Sequence, residues 1–197
     1  MGHVRFDGLP LRTAPGRVMT PRRTTEQLVA AALERLPGHP VRVVDVGTGS
    51  GAIAIALAAA APEAEVWATD TSRCGVALAR DNVRRHGLCG RVNVRNGDLL
   101  EPVPDGIDLV VANLPYLPVA DAARYPDLAD EPATAVFAAG DGLDPYRRLL
   151  VACEERLHDG AAVVIQLHRR VLAATRDELP ALRARLERDT LTMAAAA

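Results

Sequence analysis

Lysine is missing from this chain: its 23 lysine-plus-arginine positions are all arginine, set against 25 acidic residues for a net charge of −2. That balance predicts no general affinity for nucleic acid. Aromatic residues, at 3%, are also too scarce to stack a run of bases. The three cysteines, Cys74, Cys89 and Cys153, are odd in number, widely spaced and never in a Cys-x-x-Cys pair. They exclude a disulfide framework and read as free, mostly buried thiols. The five histidines show no metal-ligand spacing. No apolar run is long enough to span a bilayer; the longest, Gly51 to Pro62, is short and alanine-rich. The opening Met1-Gly2-His3-Val4-Arg5 has no secretory pattern. Phe6 and Asp7 stand where myristoylation favours a hydroxyl. The expected location is the cytoplasm.

What the chain does have is the makeup of an ordinary globular domain. Hydrophobic residues reach 49% and charged residues 24%, enough apolar material for one substantial core. Residues 1–23 carry Gly, Pro and Arg without periodicity and read as an irregular arm or a short hairpin. Across them five arginines (5, 12, 17, 22 and 23) meet only Asp7, either a solvated arm or a surface for an acidic partner. From residue 24 to 197 the pattern is that of one domain. Leu28, Val29, Ala32 and Leu33 share a helical face, and Pro37-Gly38 should stop that helix.

VRVVDV (41–46) follows as a strand buried on both faces. Helices over 51–61, 72–86 and 144–157 then alternate with strands over 65–70, 91–95, 107–113 and 161–167. Such alternation implies an α/β fold, a doubly wound and mostly parallel sheet with helices on both faces. Residues 171–188 look like a further helix interrupted by Pro180. The residues beyond it suffice for about one strand at roughly 3.3 Å per residue.

The chemistry begins where the first core strand turns into a helix, in Asp45-Val46-Gly47-Thr48-Gly49-Ser50-Gly51. Glycines here allow a sharp turn and leave room for a ligand on the backbone, while the N–H groups of the helix start favour an anion. The Gly-x-Gly-x-Gly spacing differs from the Gly-x-Gly-x-x-Gly of dinucleotide enzymes. Asp70 ends the second strand, where a carboxylate can accept from two ribose hydroxyls. That contact suits NAD and S-adenosylmethionine equally. Asp98, after the third strand, can accept from an adenine amino group while Leu99 packs on the ring.

Asn113-Leu114-Pro115-Tyr116 decides between the two ligands. It falls at the carboxyl end of the fourth strand, facing the crevice where ligands of open α/β sheets lie. It resembles the Asn-Pro-Pro-Tyr signature of methyltransferases acting on planar amide or amino nitrogens. An amide nitrogen is a poor nucleophile because its lone pair is delocalised into the carbonyl. The Asn113 side-chain oxygen and the Leu114 carbonyl can each accept one of its N–H bonds and favour the charge developing on it. Tyr116 offers a flat face to the planar group. A dry site does not oppose the transfer, because the donor's sulfonium loses its charge as the methyl leaves.

Together these motifs resemble the HemK/PrmC-type peptide chain release factor glutamine methyltransferases over roughly residues 6–170. Pro21, Arg22, Thr25 and Glu26 match that family's Pro-Arg-Pro-Glu-Thr-Glu leading segment; Arg23 and Thr24 do not. Glu131-Pro132 and Gly140-Asp141-Gly142-Leu143-Asp144 with Tyr146-Arg147-Arg148 look like its Glu-Pro and Gly-Asp-Gly-Leu segments. The resemblance implies that the glycine loop (with Asp45, Thr48 and Ser50), Asp70, Asp98, Leu99 and Asn113 bind S-adenosylmethionine, releasing S-adenosylhomocysteine. It implies that Asn113 to Tyr116 hold a substrate glutamine, in the family that of a Gly-Gly-Gln release-factor tip.

Three departures stand out. Leu114 replaces a proline, keeping the carbonyl but loosening the backbone. The chain starts almost at the catalytic core, without the family's N-terminal helical domain. Gln166 stands near where the family's fifth strand ends in Leu-Glu, and the usual antiparallel C-terminal hairpin looks cut short. Two other readings stay open: transfer to a small metabolite or an adenine amino group, and a nucleoside-binding regulator without catalysis.

Overall fold

The structure, a computed structural model, describes residues 1–36, 40–168 and 191–196. The chain opens with β1 (Gly2–Phe6) and β2 (Leu9–Thr13), an antiparallel hairpin. It turns through Asp7 and Gly8, both at positive φ (48° and 75°), the backbone that an Asp-Gly pair supplies to a two-residue hairpin turn. The leading arm is therefore ordered over these residues. Phe6 and Leu11 are buried and join the hydrophobic core under the sheet.

A single 3-10 turn, Arg23–Thr25, leads into α1 (Glu26–Leu33). The expected stop at Pro37-Gly38 lies outside the described residues. β3 (Val41–Val46), α2 (Ala52–Ala60), β4 (Ala64–Asp70), α3 (Arg73–Arg85), β5 (Val92–Asn96) and β6 (Ile107–Ala112) then alternate as the pattern predicts, with ends displaced by a residue or so. α2 is buried along Ala52–Ala58. Its alanines let it sit between α1, α3 and the sheet, an all-round apolar helix with no solvent face over those turns.

After β6 the chain makes short pieces: β7 (Leu117–Pro118), α4 (Ala133–Val136) and β8 (Phe137–Ala138), with β7 paired parallel to β8. α5 (Asp144–Arg156) follows, then β9 (Leu157–His168) and β10 (Leu191–Ala196). β9 starts four residues before the expected 161, because Leu157 is already extended (φ −88°, ψ 143°) and pairs with Ile107. The helix expected over 171–188 lies outside the described residues.

The sheet order is β10-β9-β6-β3-β4-β5, and every neighbouring pair is parallel. The one strand expected after residue 189 exists, but it runs parallel to β9 rather than as half of an antiparallel hairpin. Residues 169–190 supply the length that a parallel crossover requires.

Alternate residues of each strand feed two cores. Val43, Leu109 and Val111 join α1, α2 and the hairpin on one face. Val44, Val110, Ala112, Val163 and Ile165 join Leu149, Leu150 and Cys153 of α5 on the other. Burial of each valine, leucine or isoleucine among them stabilises the fold by about 1.5–3 kcal/mol. The order reverses between β3 and β6, so the crevice opens at their carboxyl ends.

Candidate active site

Gly47, Gly49 and Gly51 all adopt positive φ (73°, 55° and 82°). The loop hangs on β4 through two bonds, from the Gly47 and Thr48 N–H groups to the Thr69 carbonyl, both 2.9 Å. Gly51 lets two helices meet: a Cβ there would lie 3.2 Å from Ala79 of α3. It packs behind the loop, outside the cavity lining. Asp45 also sits behind the loop. Its side chain is fully buried, with Oδ2 accepting from Thr48 Oγ1 at 2.6 Å and from the Ala54 N–H at 3.1 Å. Burial, only partly offset by those bonds, raises its pKa from 3.8 to about 7. Asp45 and Gly51 thus shape the loop from beneath, and Gly47, Thr48, Gly49 and Ser50 form its cavity surface.

Asp70 accepts from the Gly49 N–H on Oδ2 and from the Ser72 N–H on Oδ1, both at 2.7 Å. Gly75 keeps space beside it, since a Cβ there would lie 3.1 Å from Oδ2. A carboxylate has about four lone-pair sites. Two are taken, and two remain open. Burial raises the pKa of Asp70, against those two bonds.

Asn96 Nδ2 donates to the Asp70 and Thr71 carbonyls at 2.8 and 3.1 Å, fixing the end of β5 beside Asp70. Asp98 is paired with Arg148, a cavity-lining partner that sequence spacing could not reveal. Leu99 has φ 45°, a left-handed conformation that is uncommon for a non-glycine residue. The buried Thr69 hydroxyl holds it there, donating to the Leu99 carbonyl at 2.8 Å.

On the other side of the switch, Asn113 Nδ2 donates to Thr25 Oγ1 at 3.2 Å, leaving Oδ1 as its free end. Leu114 is buried, and its Cδ2 lies 2.6 Å from where a Cβ on Gly47 would be. Its N–H donates to the Tyr146 hydroxyl at 2.9 Å. Tyr116 is half-buried, and burial pushes its phenol pKa up. Gly142, at φ 90°, backs it closely: a Cβ there would fall 2.3 Å from the Tyr116 carbonyl oxygen. That approach explains why the tetrapeptide needs the Gly-Asp-Gly-Leu loop.

The glycine loop and the tetrapeptide line one cavity of about 830 Å³, with Asp70, Leu99, Asn113 and Tyr116 all on its walls. Residues 17–25 line the same space, and Glu131 fastens this segment by accepting from the Thr20 N–H at 3.0 Å. Gln166 lines the cavity too, its Oε1 buried without a hydrogen-bond partner. The residues that sequence reasoning missed as site components, Thr25, Tyr146 and Arg148, act through contacts 88, 32 and 50 positions away in sequence. Among the described residues no cluster suits a metal ion, and no helix is long and apolar enough to cross a membrane.

Residues 24–129, more than half of the chain, match the family model of the methyltransferase small domain. The chain belongs to that family. Within this methyltransferase family, it is 39% identical to the release factor glutamine methyltransferase of Moorella thermoacetica over 84% of its own length and 59% of the relative's. It is 42% identical to the Deinococcus radiodurans protein of the same name, over 84% and 59%. The chain thus spans about three fifths of the curated relatives it matches. A crystal structure of ribosomal protein L11 methylase from Lactobacillus delbrueckii subsp. bulgaricus shares the fold, with a TM-score of 0.57 and 23% identity over 84% of this chain and 69% of that one. The glycine loop, Asp70, Asp98 and the tetrapeptide all fall inside the methyltransferase match, whereas Tyr146, Arg148 and Gln166 lie beyond it.

Proposed function

We propose that this chain is an S-adenosylmethionine-dependent methyltransferase of a planar amide nitrogen, that of a glutamine side chain in a protein such as a peptide chain release factor. The observation that carries the reading is the shared cavity, with Asp70 on one wall and Asn113 to Tyr116 on another. The walls suit the donor. Asp70 keeps two acceptor sites suited to a ribose, and the positive-φ glycine loop lines the same cavity. Asp98 and Leu99 line the same cavity, a carboxylate and an apolar side chain of the kind that suits an adenine.

Bound there, S-adenosylmethionine supplies an electrophilic methyl on a sulfonium centre. The chain's own residues hold the acceptor. With Nδ2 tied to Thr25, the Asn113 oxygen is free to accept one N–H of an amide and orient its nitrogen. An oxygen held in place also favours the positive charge that develops on nitrogen. Tyr116, its phenol kept neutral by burial, offers a ring face to the amide plane. The named relatives at 39–42% identity support a glutamine acceptor.

Labelled donor incubated with purified release factor tests the reading. Label should enter the glutamine side chain with the wild-type chain and not with Asn113→Ala. Label going instead to a nucleic acid or metabolite fraction of a host extract would replace this acceptor. Donor binding without any transfer would favour the regulatory alternative.

A further inference from the structure

The Tyr146 hydroxyl touches three backbone groups on two strands' ends. It lies 2.9 Å from the Leu114 nitrogen, 3.0 Å from the Leu114 carbonyl oxygen and 2.7 Å from the Gln166 carbonyl oxygen. Tyr146 is 3% exposed, so no water competes for these contacts. Burial holds its pKa well above the ordinary value, and the group stays a neutral phenol. A phenol has one proton to donate and lone pairs to accept with. It must accept from the Leu114 N–H, the only donor of the three. Its single proton serves one carbonyl at a time, and the shorter contact is to Gln166.

Position 114 is where the related signature carries proline. A proline has no N–H, so the buried donor at this site exists because the residue is leucine. Left unpaired it would be costly. The hydroxyl removes that cost and ties the tetrapeptide to β9, a restraint that a proline ring would otherwise contribute within the chain itself.

We propose that Tyr146 is the positioning residue of the Asn113–Tyr116 tetrapeptide, pairing the buried N–H that leucine, unlike proline, brings to position 114. By turning its proton to the Gln166 carbonyl, it leaves the Leu114 carbonyl open to an acceptor N–H. The second half of this proposal rests on the methyltransferase reading above; the first does not.

The test is a double-mutant comparison with two readouts. In glutamine methylation, Tyr146→Phe should lower kcat roughly tenfold with leucine at 114, the size of effect an orphaned buried donor produces. It should cost less than about threefold in a Leu114→Pro background, where that donor is gone. Donor Kd should be unchanged in both. Equal losses in the two backgrounds overturn the proposal.

The second readout is hydrogen exchange at the Leu114 amide. It should be protected in the wild-type chain and exchange at least about tenfold faster in Tyr146→Phe, while the in-sheet Val111 amide keeps its rate. A wild-type Leu114 amide that exchanges as fast as an exposed one overturns the proposal, whether or not Tyr146→Phe folds. If the wild-type chain methylates no glutamine, the functional reading falls, and exchange still decides the role of Tyr146.

Discussion

Asp70 uses one oxygen to hold the Gly49 N–H and the other to hold the Ser72 N–H, so it shapes the glycine loop before any ligand arrives. Its replacement by alanine leaves two N–H groups without partners and, on the proposed function, a ribose as well. Titration calorimetry should show S-adenosylmethionine affinity falling by about 1–3 kcal/mol; an unchanged affinity removes Asp70 from the donor site.

Asp45 leads to a different experiment. Its folded pKa of about 7 lies above the ordinary 3.8, so the folded chain binds a proton that the unfolded chain releases as pH rises between those values. Folding stability therefore falls with pH across that window, and the whole penalty is present above about 7. Asp45→Asn cannot ionise. Its melting temperature relative to wild type should rise from pH 4 to 7 and then level off. A pH-independent difference would mean that Asp45 is ionised throughout.

At the level of elements, the clearest dependence is that of the hairpin on α3. Asn82 is fully buried; it accepts from the Arg12 N–H at 2.9 Å and donates to the Arg12 and Ser50 carbonyls at 3.1 and 2.9 Å. One side chain thus joins β2, α3 and the glycine loop. Asn82→Ala should cost about 1–3 kcal/mol in urea unfolding and raise amide exchange in the hairpin as well as at the loop. The Gly-Asp-Gly-Leu segment has an equally local dependence. Gly142→Ala drives a Cβ toward the Tyr116 carbonyl from a backbone that disfavours any side chain. Methyl transfer should fall at least about tenfold while donor Kd holds, and a parallel loss of both would place the damage elsewhere.

These elements also mark where sequence reading succeeds. VRVVDV and IDLVVAN declare themselves because central parallel strands bury both faces, and the glycine spacing announces the turn that follows β3. The hairpin was legible only as an alternative to an irregular arm, since Asp7-Gly8 lies among prolines and glycines that blur the alternation. The direction of β10 was not legible at all, because one strand's composition is the same whichever way it runs. Within the site, residue types at strand ends could be read, as at Asp70 and Asn113. Support from distant positions could not: nothing near Leu114 in sequence points to Tyr146, nor anything near Asp98 to Arg148. Asp45 shows the converse. A carboxylate beside a glycine loop reads as a contact, yet its strand register turns it inward.

For the molecule as a whole, the reversal of strand order between β3 and β6 puts the glycine loop, Asp70 and the Asn113–Tyr116 tetrapeptide on one cavity, which residues 17–25 also line. Ligand binding there should stabilise the entire fold. Saturation with S-adenosylhomocysteine at a hundred times its Kd should add about 2.7 kcal/mol, read as a rise in melting temperature that Asp70→Ala abolishes at the same concentration. A flat response in the wild-type chain would exclude the cavity as a nucleoside site. The family match over residues 24–129 covers both sides of the reversal, whereas Tyr146, which ties residue 114 to β9, lies beyond it.

Leu114 packs its Cδ2 over Gly47, where the glycine loop and the tetrapeptide meet on the wall of one cavity. A carbon-13 label on that methyl would report, through a single resonance, any molecule that enters the cavity against either segment. Occupancy could then be followed in an intact protein and without turnover.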